Sequence, residues 1–289
     1  MNLKDILKKY RDELKGIFDD QEIVAIFYLV SEHILNLNRA ATALKMNDEL
    51  SASDGNAFLA VCQELMLGKP VQYILGKAYF YGLSLDVSTA VLIPRPETEE
   101  LVEMVIMAGK QSRAPLRILD IGTGSGCIAI AIKTNLPNAE VSALDVSGQA
   151  LSVAIQNAQN LGTEINFIQA DIRSYHSSDH FDIIVSNPPY ITEAEQELMD
   201  KHVTDFEPHL ALFVADHHPL EFYEAIADFA NTALSAKGQL FFEINAQFGQ
   251  ETAAMLEAKR FEEVLILQDM QGKDRFVKAT KASSGSEIQ

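Results

Sequence analysis

The sequence predicts an α/β fold: a mostly parallel sheet covered by helices, an antiparallel hairpin at one sheet edge, and a small helical bundle ahead of it. Three observations lead there. From Leu116 onward, short β-branched runs alternate with helical stretches. Residues 1–70 hold apolar stripes at helical spacing and no strand-like run. Near the C-terminus, two strand-like runs are separated only by a short Gln271-Gly272-Lys273 turn.

The bundle rests on three stripes. Leu3, Ile6, Leu7, Tyr10, Leu14 and Ile17 form the first, and Ile23, Ile26, Phe27, Val30, Ile34 and Leu37 the second. Phe58, Val61, Cys62, Leu65 and Met66 form the third, closed by Gly68 and Pro70. This predicts a helical domain over 1–70. Residues 71–95 are aromatic and punctuated by Gly76 and Gly82, which reads as a hairpin linker. Residues 96–280 then form the larger domain. Its first helix opens at Pro96, with Glu97 and Glu99 complementing the N-terminal dipole. Candidate strands follow at Arg117–Ile121, 140–146, 165–170, Phe181–Ser186 and 239–244, with the edge hairpin at 264–268 and 275–279. The tail over 281–289 is small and polar, and disorder is expected there.

Composition narrows the function. The 289 residues, 47% hydrophobic, suffice for one large core and one small one. With 23 Lys+Arg against 41 Asp+Glu, the formal charge of −18 argues against affinity for nucleic-acid backbone. It leaves room for a protein partner with a basic surface. Cys62 and Cys127 are far apart and form no CxxC, so neither a disulfide framework nor a zinc site is indicated, and no metal is expected. The N-terminus is charged and amphipathic, unlike a signal peptide, and no apolar run is long enough to cross a membrane. A cytoplasmic monomer with no membrane attachment is the expectation.

Two strand ends hold the chemistry. After the first strand, Asp120-Ile121-Gly122-Thr123-Gly124-Ser125-Gly126 opens a helix at Cys127. Glycines at that position let a ligand approach the backbone. The spacing is GxGxG rather than GxGxxG, and Asp120 stands just ahead of the turn, where it would repel a pyrophosphate. S-adenosylmethionine carries no phosphate and presents an ammonium and a sulfonium, so an acid is tolerated. Asp145 is placed for ribose hydroxyls, and Asp171 or Ile172 for the adenine border. Asp171 reads at least as readily as a cap or turn residue. Cys127 reads as a small packing residue.

The other strand end is Ser186-Asn187-Pro188-Pro189-Tyr190. The prolines stop the strand and hold Asn187 extended. The stiff loop offers a carboxamide, carbonyls without competing donors, and an aromatic ring. That set suits activation of a planar nitrogen, whose lone pair is delocalised as in a peptide bond. If Asn187 Oδ1 and the Pro188 carbonyl each accept one of its N–H groups, the lone pair turns toward an electrophile, and Tyr190 can pack on the flat substrate. An ordinary strand-ending turn is the plainer alternative.

With the glycine turn, Asp145 and Asn187-Pro-Pro-Tyr190 in this order, the chain resembles class I S-adenosylmethionine-dependent methyltransferases that act on planar nitrogens. Leu92-Ile93-Pro94-Arg95-Pro96-Glu97-Thr98-Glu99, Gly122-Thr-Gly-Ser-Gly-Cys127 and Phe206-Glu207-Pro208 narrow the resemblance to the HemK/PrmC family, the release-factor glutamine methyltransferases. That resemblance implies a Rossmann-like seven-stranded methyltransferase sheet and a helical substrate-recognition domain. It implies N5-methylation of the glutamine in a release factor's Gly-Gly-Gln motif. Gly122, Thr123, Gly124, Ser125, Gly126, Asp145, Asp171, Ile172 and Asn187 would hold the cofactor, S-adenosyl-L-methionine. Asn187, Pro188, Pro189 and Tyr190 would hold the glutamine, with Asn187, Pro188 and Tyr190 catalytic. The chain departs from the family at Ala215-Asp216-His217-His218-Pro219, and no role is carried onto those histidines. The rival readings are an adenine-N6 nucleic-acid methyltransferase, which the charge disfavours, and a glutamine methyltransferase acting on a ribosomal protein.

Overall fold

In the computed structural model, which describes residues 1–112 and 114–283, the alternating runs condense into one seven-stranded sheet. Its strands are β1 (Arg117–Ile121), β2 (Glu140–Asp145), β3 (Asn166–Gln169), β4 (Phe181–Ser186), β5 (Leu234–Glu243), β6 (Phe261–Gln268) and β7 (Asp274–Lys281). Across the sheet they run β6-β7-β5-β4-β1-β2-β3. All neighbours from β5 to β3 are parallel, whereas β7 is antiparallel to both β5 and β6.

The period-2 alternation of the strands decides which helix layer each side chain meets. Ile118, Ile183, Val185 and Phe241 pack on one face with Leu101 and Val105 of the helix Pro96–Lys110 and with Ile128 and Ile130 of the helix Cys127–Asn135. Leu119, Ile121, Ile184, Leu240 and Phe242 pack on the other, against Tyr223, Ile226 and Ala230 of the helix Glu221–Ala233. Strands covered on both faces read as nearly continuous apolar runs, which is why the central ones stand out in the sequence.

The two margins of the sheet differ from its centre. β3 is only 4 residues long. β6 has register shifts against β7 between Glu262 and Leu265 and between Leu267 and Gln268. Within the first irregularity, Glu263 takes a left-handed φ of 52°.

The chain forms two compact units, Met1–Lys77 with Asp200–Phe206, and Ala78–Met199 with Glu207–Gln289. In the first, helices Leu3–Leu14, Asp20–Leu35 and Ala52–Met66 bury Ile6, Tyr10, Phe27, Phe58 and Leu65. Asn2, Asp19 and Ser51 cap their N-termini. Ile17 lies beyond the first helix and is exposed. His202 joins this unit, stacked on Phe18 at 5.1 Å and hydrogen-bonded to the Gly68 carbonyl at 2.7 Å.

Part of the stretch read as a hairpin is helical: Val71–Leu75 forms a short helix ending at left-handed Gly76. The strands are Lys77–Phe80 and Leu83–Asp86, joined through Tyr81 and Gly82. Both turn residues have positive φ, 49° and 75°, as a two-residue type I′ connection requires. At the other end, Lys281 closes β7 rather than opening a tail. The disorder expected for the tail falls on 284–289, outside the described residues.

Candidate active site

From β1 the chain steps outward to β2 and β3 on one side and then returns to β4 on the other side of β1, so a crevice opens at the C-terminal ends of β1 and β4. Register brings the two informative turns together there. Ile121 pairs with Ser186, so the glycine turn and the Asn-Pro-Pro turn emerge level. A Cβ on Gly122 would stand 4.0 Å from the Asn187 carbonyl. Between the turns lies a cavity of about 400 Å³. Gly122, Gly124, Asp145, Asp171, Ile172, Asn187, Pro188 and Pro189, all singled out in the sequence, line it.

Thr123, Ser125, Gly126 and Tyr190 do not line it, although the sequence suggested a ligand contact for each. Thr123 turns inward and donates its hydroxyl to Asp120 Oδ2 at 2.6 Å. Ser125 is buried. Gly126 caps the helix Cys127–Asn135 in the left-handed region, pressed against Ala154 and Ile130. A tight turn sends alternate residues to opposite sides, so a single motif supplies both ligand contacts and packing. Asp120 also lies beneath the turn, fully buried, and burial pushes its carboxyl up to about 7. Burial likewise pushes the Cys127 thiol up to about 12, which leaves no thiolate for nucleophilic chemistry.

Asp145 is tied down at both oxygens. Gly124 N–H donates to Oδ2 at 2.9 Å and Ser147 N–H to Oδ1 at 2.8 Å. Burial raises its pKa, opposed by these N–H groups. Asp171 forms a turn with Arg173, accepting its backbone N–H at 2.9 Å and its guanidinium at 2.7 Å. The guanidinium holds the Asp171 carboxyl below its ordinary range. This turn role coexists with a place on the cavity wall.

Asn187 Nδ2 donates to Thr98 Oγ1 at 3.2 Å, and Thr98 Oγ1 donates to Glu243 Oε2 at 2.7 Å. Tyr190 reaches the same carboxylate, its hydroxyl 3.1 Å from Glu243 Oε1. The Tyr190 carbonyl accepts from Asn245 Nδ2 at 3.2 Å. Its hydroxyl and its carbonyl are therefore both tied to the end of β5. The Pro-Arg-Pro segment is similarly anchored. Arg95 Nη2 meets Glu207 Oε1 at 2.6 Å, and Ile93 N–H donates to Glu207 Oε2 at 3.3 Å. Glu243 escaped the sequence reading, and Glu207 entered it only within its motif and without a role, because their partners are 145 and 112 positions away. The acids of Glu-rich helix starts and strand ends carry no local mark of such pairing. His218 pairs with Glu224 at 3.0 Å, and no cluster able to hold a metal occurs among the described residues.

The donor set tests which ligand fits. A phosphate at a glycine turn needs free backbone N–H groups. Here Asp145 already takes the Gly124 N–H and adds negative charge. The same carboxylate retains lone pairs for hydroxyl donors. Space above Gly122 and Gly124 is open, and Ile172 supplies an apolar wall. The residues therefore suit a ligand with hydroxyls, a flat base and positive charge, as S-adenosylmethionine has, better than a dinucleotide.

Sheet order, glycine turn and Asn-Pro-Pro-Tyr turn together define an S-adenosylmethionine-dependent methyltransferase of the Rossmann-like class. Comparison with known proteins agrees. Residues 84–211 match the methyltransferase small domain, and residues 5–76 match the PrmC N-terminal domain. The chain is 44% identical to a release factor glutamine methyltransferase from Flavobacterium psychrophilum, over 94% of this chain and 98% of that one. It is 40% identical to another from Bacteroides thetaiotaomicron, over 94% and 97%. A methyltransferase structure from Pyrococcus furiosus shares the fold, with TM-score 0.50 at 16% identity over 70% of this chain and 90% of that one. The chain belongs to the release factor glutamine methyltransferase family, and S-adenosyl-L-methionine is its cofactor.

Proposed function

We propose that this protein methylates the N5 nitrogen of the glutamine in the Gly-Gly-Gln motif of peptide chain release factors. The observation that carries the reading is the Asn187 carboxamide at the cavity wall beside the glycine turn, with its NH2 committed to Thr98. Its oxygen is left to accept an incoming N–H. Pro188, which has no N–H of its own, offers its carbonyl for the second. Two acceptors on one amide nitrogen draw its hydrogens aside and orient the lone pair. They also stabilise the positive charge that grows there.

When bound, S-adenosylmethionine supplies an electrophilic methyl group on sulfonium. Asp145, Ile172 and the backbone of Gly122 and Gly124 are the residues that would hold it, with Asp171 at the wall. Holding donor and acceptor within roughly 3–3.5 Å lowers the barrier by several kcal/mol through orientation alone. The surplus proton leaves to water, and no protein base is required. We assign recognition of the release factor to the helical N-terminal unit. The chain acts on it as a cytoplasmic monomer, without nucleic acid.

The test is mass spectrometry of a release factor incubated with the enzyme and S-adenosylmethionine. One added methyl on the Gly-Gly-Gln glutamine is expected. An unmodified glutamine, or methyl transfer to adenine or to a ribosomal protein instead, would overturn the assignment.

A further inference from the structure

Glu243 is a carboxylate buried at the end of β5, only 1% exposed, and the reaction outlined above does not use it directly. Three hydroxyls converge on this residue. Thr98 and Tyr190 donate to its two side-chain oxygens, and Tyr223 donates to its backbone carbonyl at 3.1 Å. We infer that Glu243, acting through the Thr98 hydroxyl, sets which end of the Asn187 carboxamide faces the cavity, and so is a positioning residue for the substrate nitrogen. The inference rests on the role of Asn187 proposed above.

The argument is one of donor and acceptor capacity. Burial raises the Glu243 carboxyl, opposed by the Thr98 and Tyr190 hydroxyls and by Arg275. Both of its oxygens accept, from Thr98 and from Tyr190, and a threonine hydroxyl has a single proton. Thr98 must spend that proton on Glu243 Oε2 at 2.7 Å. Its oxygen can then only accept, so the Asn187 group 3.2 Å away must be the NH2. A carboxamide whose nitrogen is fixed has its oxygen fixed too. Without an acceptor-only group behind Thr98, the hydroxyl could donate to Asn187 Oδ1 instead, and the amide would turn its NH2 toward a substrate that is itself an NH2 group.

Charge strengthens the effect. Successive donors in a chain polarise one another, so the carboxylate makes Asn187 Oδ1 a better acceptor through Thr98. Thr98 is 2% exposed, so little solvent screens the relay. Tyr190 ties the far end of the Asn-Pro-Pro-Tyr turn to the same carboxylate. One buried acid thus orients the acceptor and anchors the loop that carries it. Thr98 occupies the third position of the helix Pro96–Lys110, which explains why the segment after Arg95 is placed against this turn.

The experiment compares wild type with Thr98→Val, Thr98→Ser and Glu243→Gln on a Gly-Gly-Gln peptide. Thr98→Val and Glu243→Gln should each lower kcat by about 100-fold, as loss of one pre-organised polar contact does. S-adenosylmethionine affinity, read by equilibrium titration, should change by less than about twofold. Thr98→Ser restores the hydroxyl and should recover about tenfold or more over Thr98→Val. In protein labelled with 15N-asparagine, the Asn187 carboxamide resonance should shift in Thr98→Val and Glu243→Gln. Turnover within about twofold of wild type in either variant, with an unmoved resonance, would overturn the role of Glu243. If wild type itself fails to methylate the peptide, the functional reading falls, and the carboxamide resonance alone decides the Glu243 role.

Discussion

On the role proposed for Asn187, its replacement by alanine removes one acceptor for the substrate amide and nothing from the glycine turn. The expected result is a kcat lower by roughly 10²–10³-fold with S-adenosylmethionine binding intact, read by single-turnover kinetics and titration calorimetry. Asp120, near the neighbouring strand end, acts on stability instead. Burial raises its carboxyl from 3.8 to about 7, so the folded protein holds this proton more tightly than the unfolded chain does. Its contribution is complete below the ordinary value and is lost as pH rises through about 7. Asp120→Asn keeps an acceptor for Thr123 without the charge. Between pH about 4 and 8, wild type should lose stability relative to this variant, by up to about 4 kcal/mol at the alkaline end. Urea midpoints that run parallel over that window would refute it. At this scale the sequence was legible only in part. It pointed to Asn187 through its prolines, but the inward turn of Thr123 and Ser125 depends on a backbone path that residue identity does not reveal. Glu243 was invisible, since its meaning comes from Thr98, 145 positions earlier.

Among the elements, the glycine turn divides its labour between folding and binding, and two substitutions should separate them. A Cβ on Gly126 would stand 3.1 Å from both Ala154 Cβ and Ile130 Cδ1, at a φ of +81°. Gly126→Ala should therefore destabilise the fold by roughly 2–4 kcal/mol, measured by chemical denaturation. A Cβ on Gly124 meets nothing within 4 Å. Gly124→Ala should lower stability by only about 1–2 kcal/mol from its left-handed φ, with the larger loss in S-adenosylmethionine affinity. Equal effects of the two on stability would contradict this division. The central strands were legible because β-branched runs buried on both faces leave a strong trace, and the edge hairpin because of its short turn. The stretch after the Asn-Pro-Pro-Tyr turn was not. There Ile191–Thr192 and Phe213–Val214 are strands of 2 residues each, held partly by side-chain bonds such as Asn245 to Glu195 at 3.1 Å. Elements that short have no period to read.

For the whole molecule, the excess of 41 acidic over 23 basic residues sets the character of its encounters. A chain of formal charge −18 is steered toward a positively charged protein, and such steering weakens as salt shortens the Debye length. The apparent KM for a release factor should rise severalfold between about 50 and 200 mM salt, while the KM for S-adenosylmethionine stays nearly level. A factor KM insensitive to salt would assign recognition to apolar contacts instead. The flanks of the sheet bear on encounters between copies of the chain. A margin with long, regular hydrogen-bonding groups would template the addition of a foreign strand. Here one flank is too brief to register a visitor, and the other is kinked at a left-handed glutamate between shifted pairings. Neither border of this sheet offers a long, regular row of backbone groups on which a foreign strand could grow.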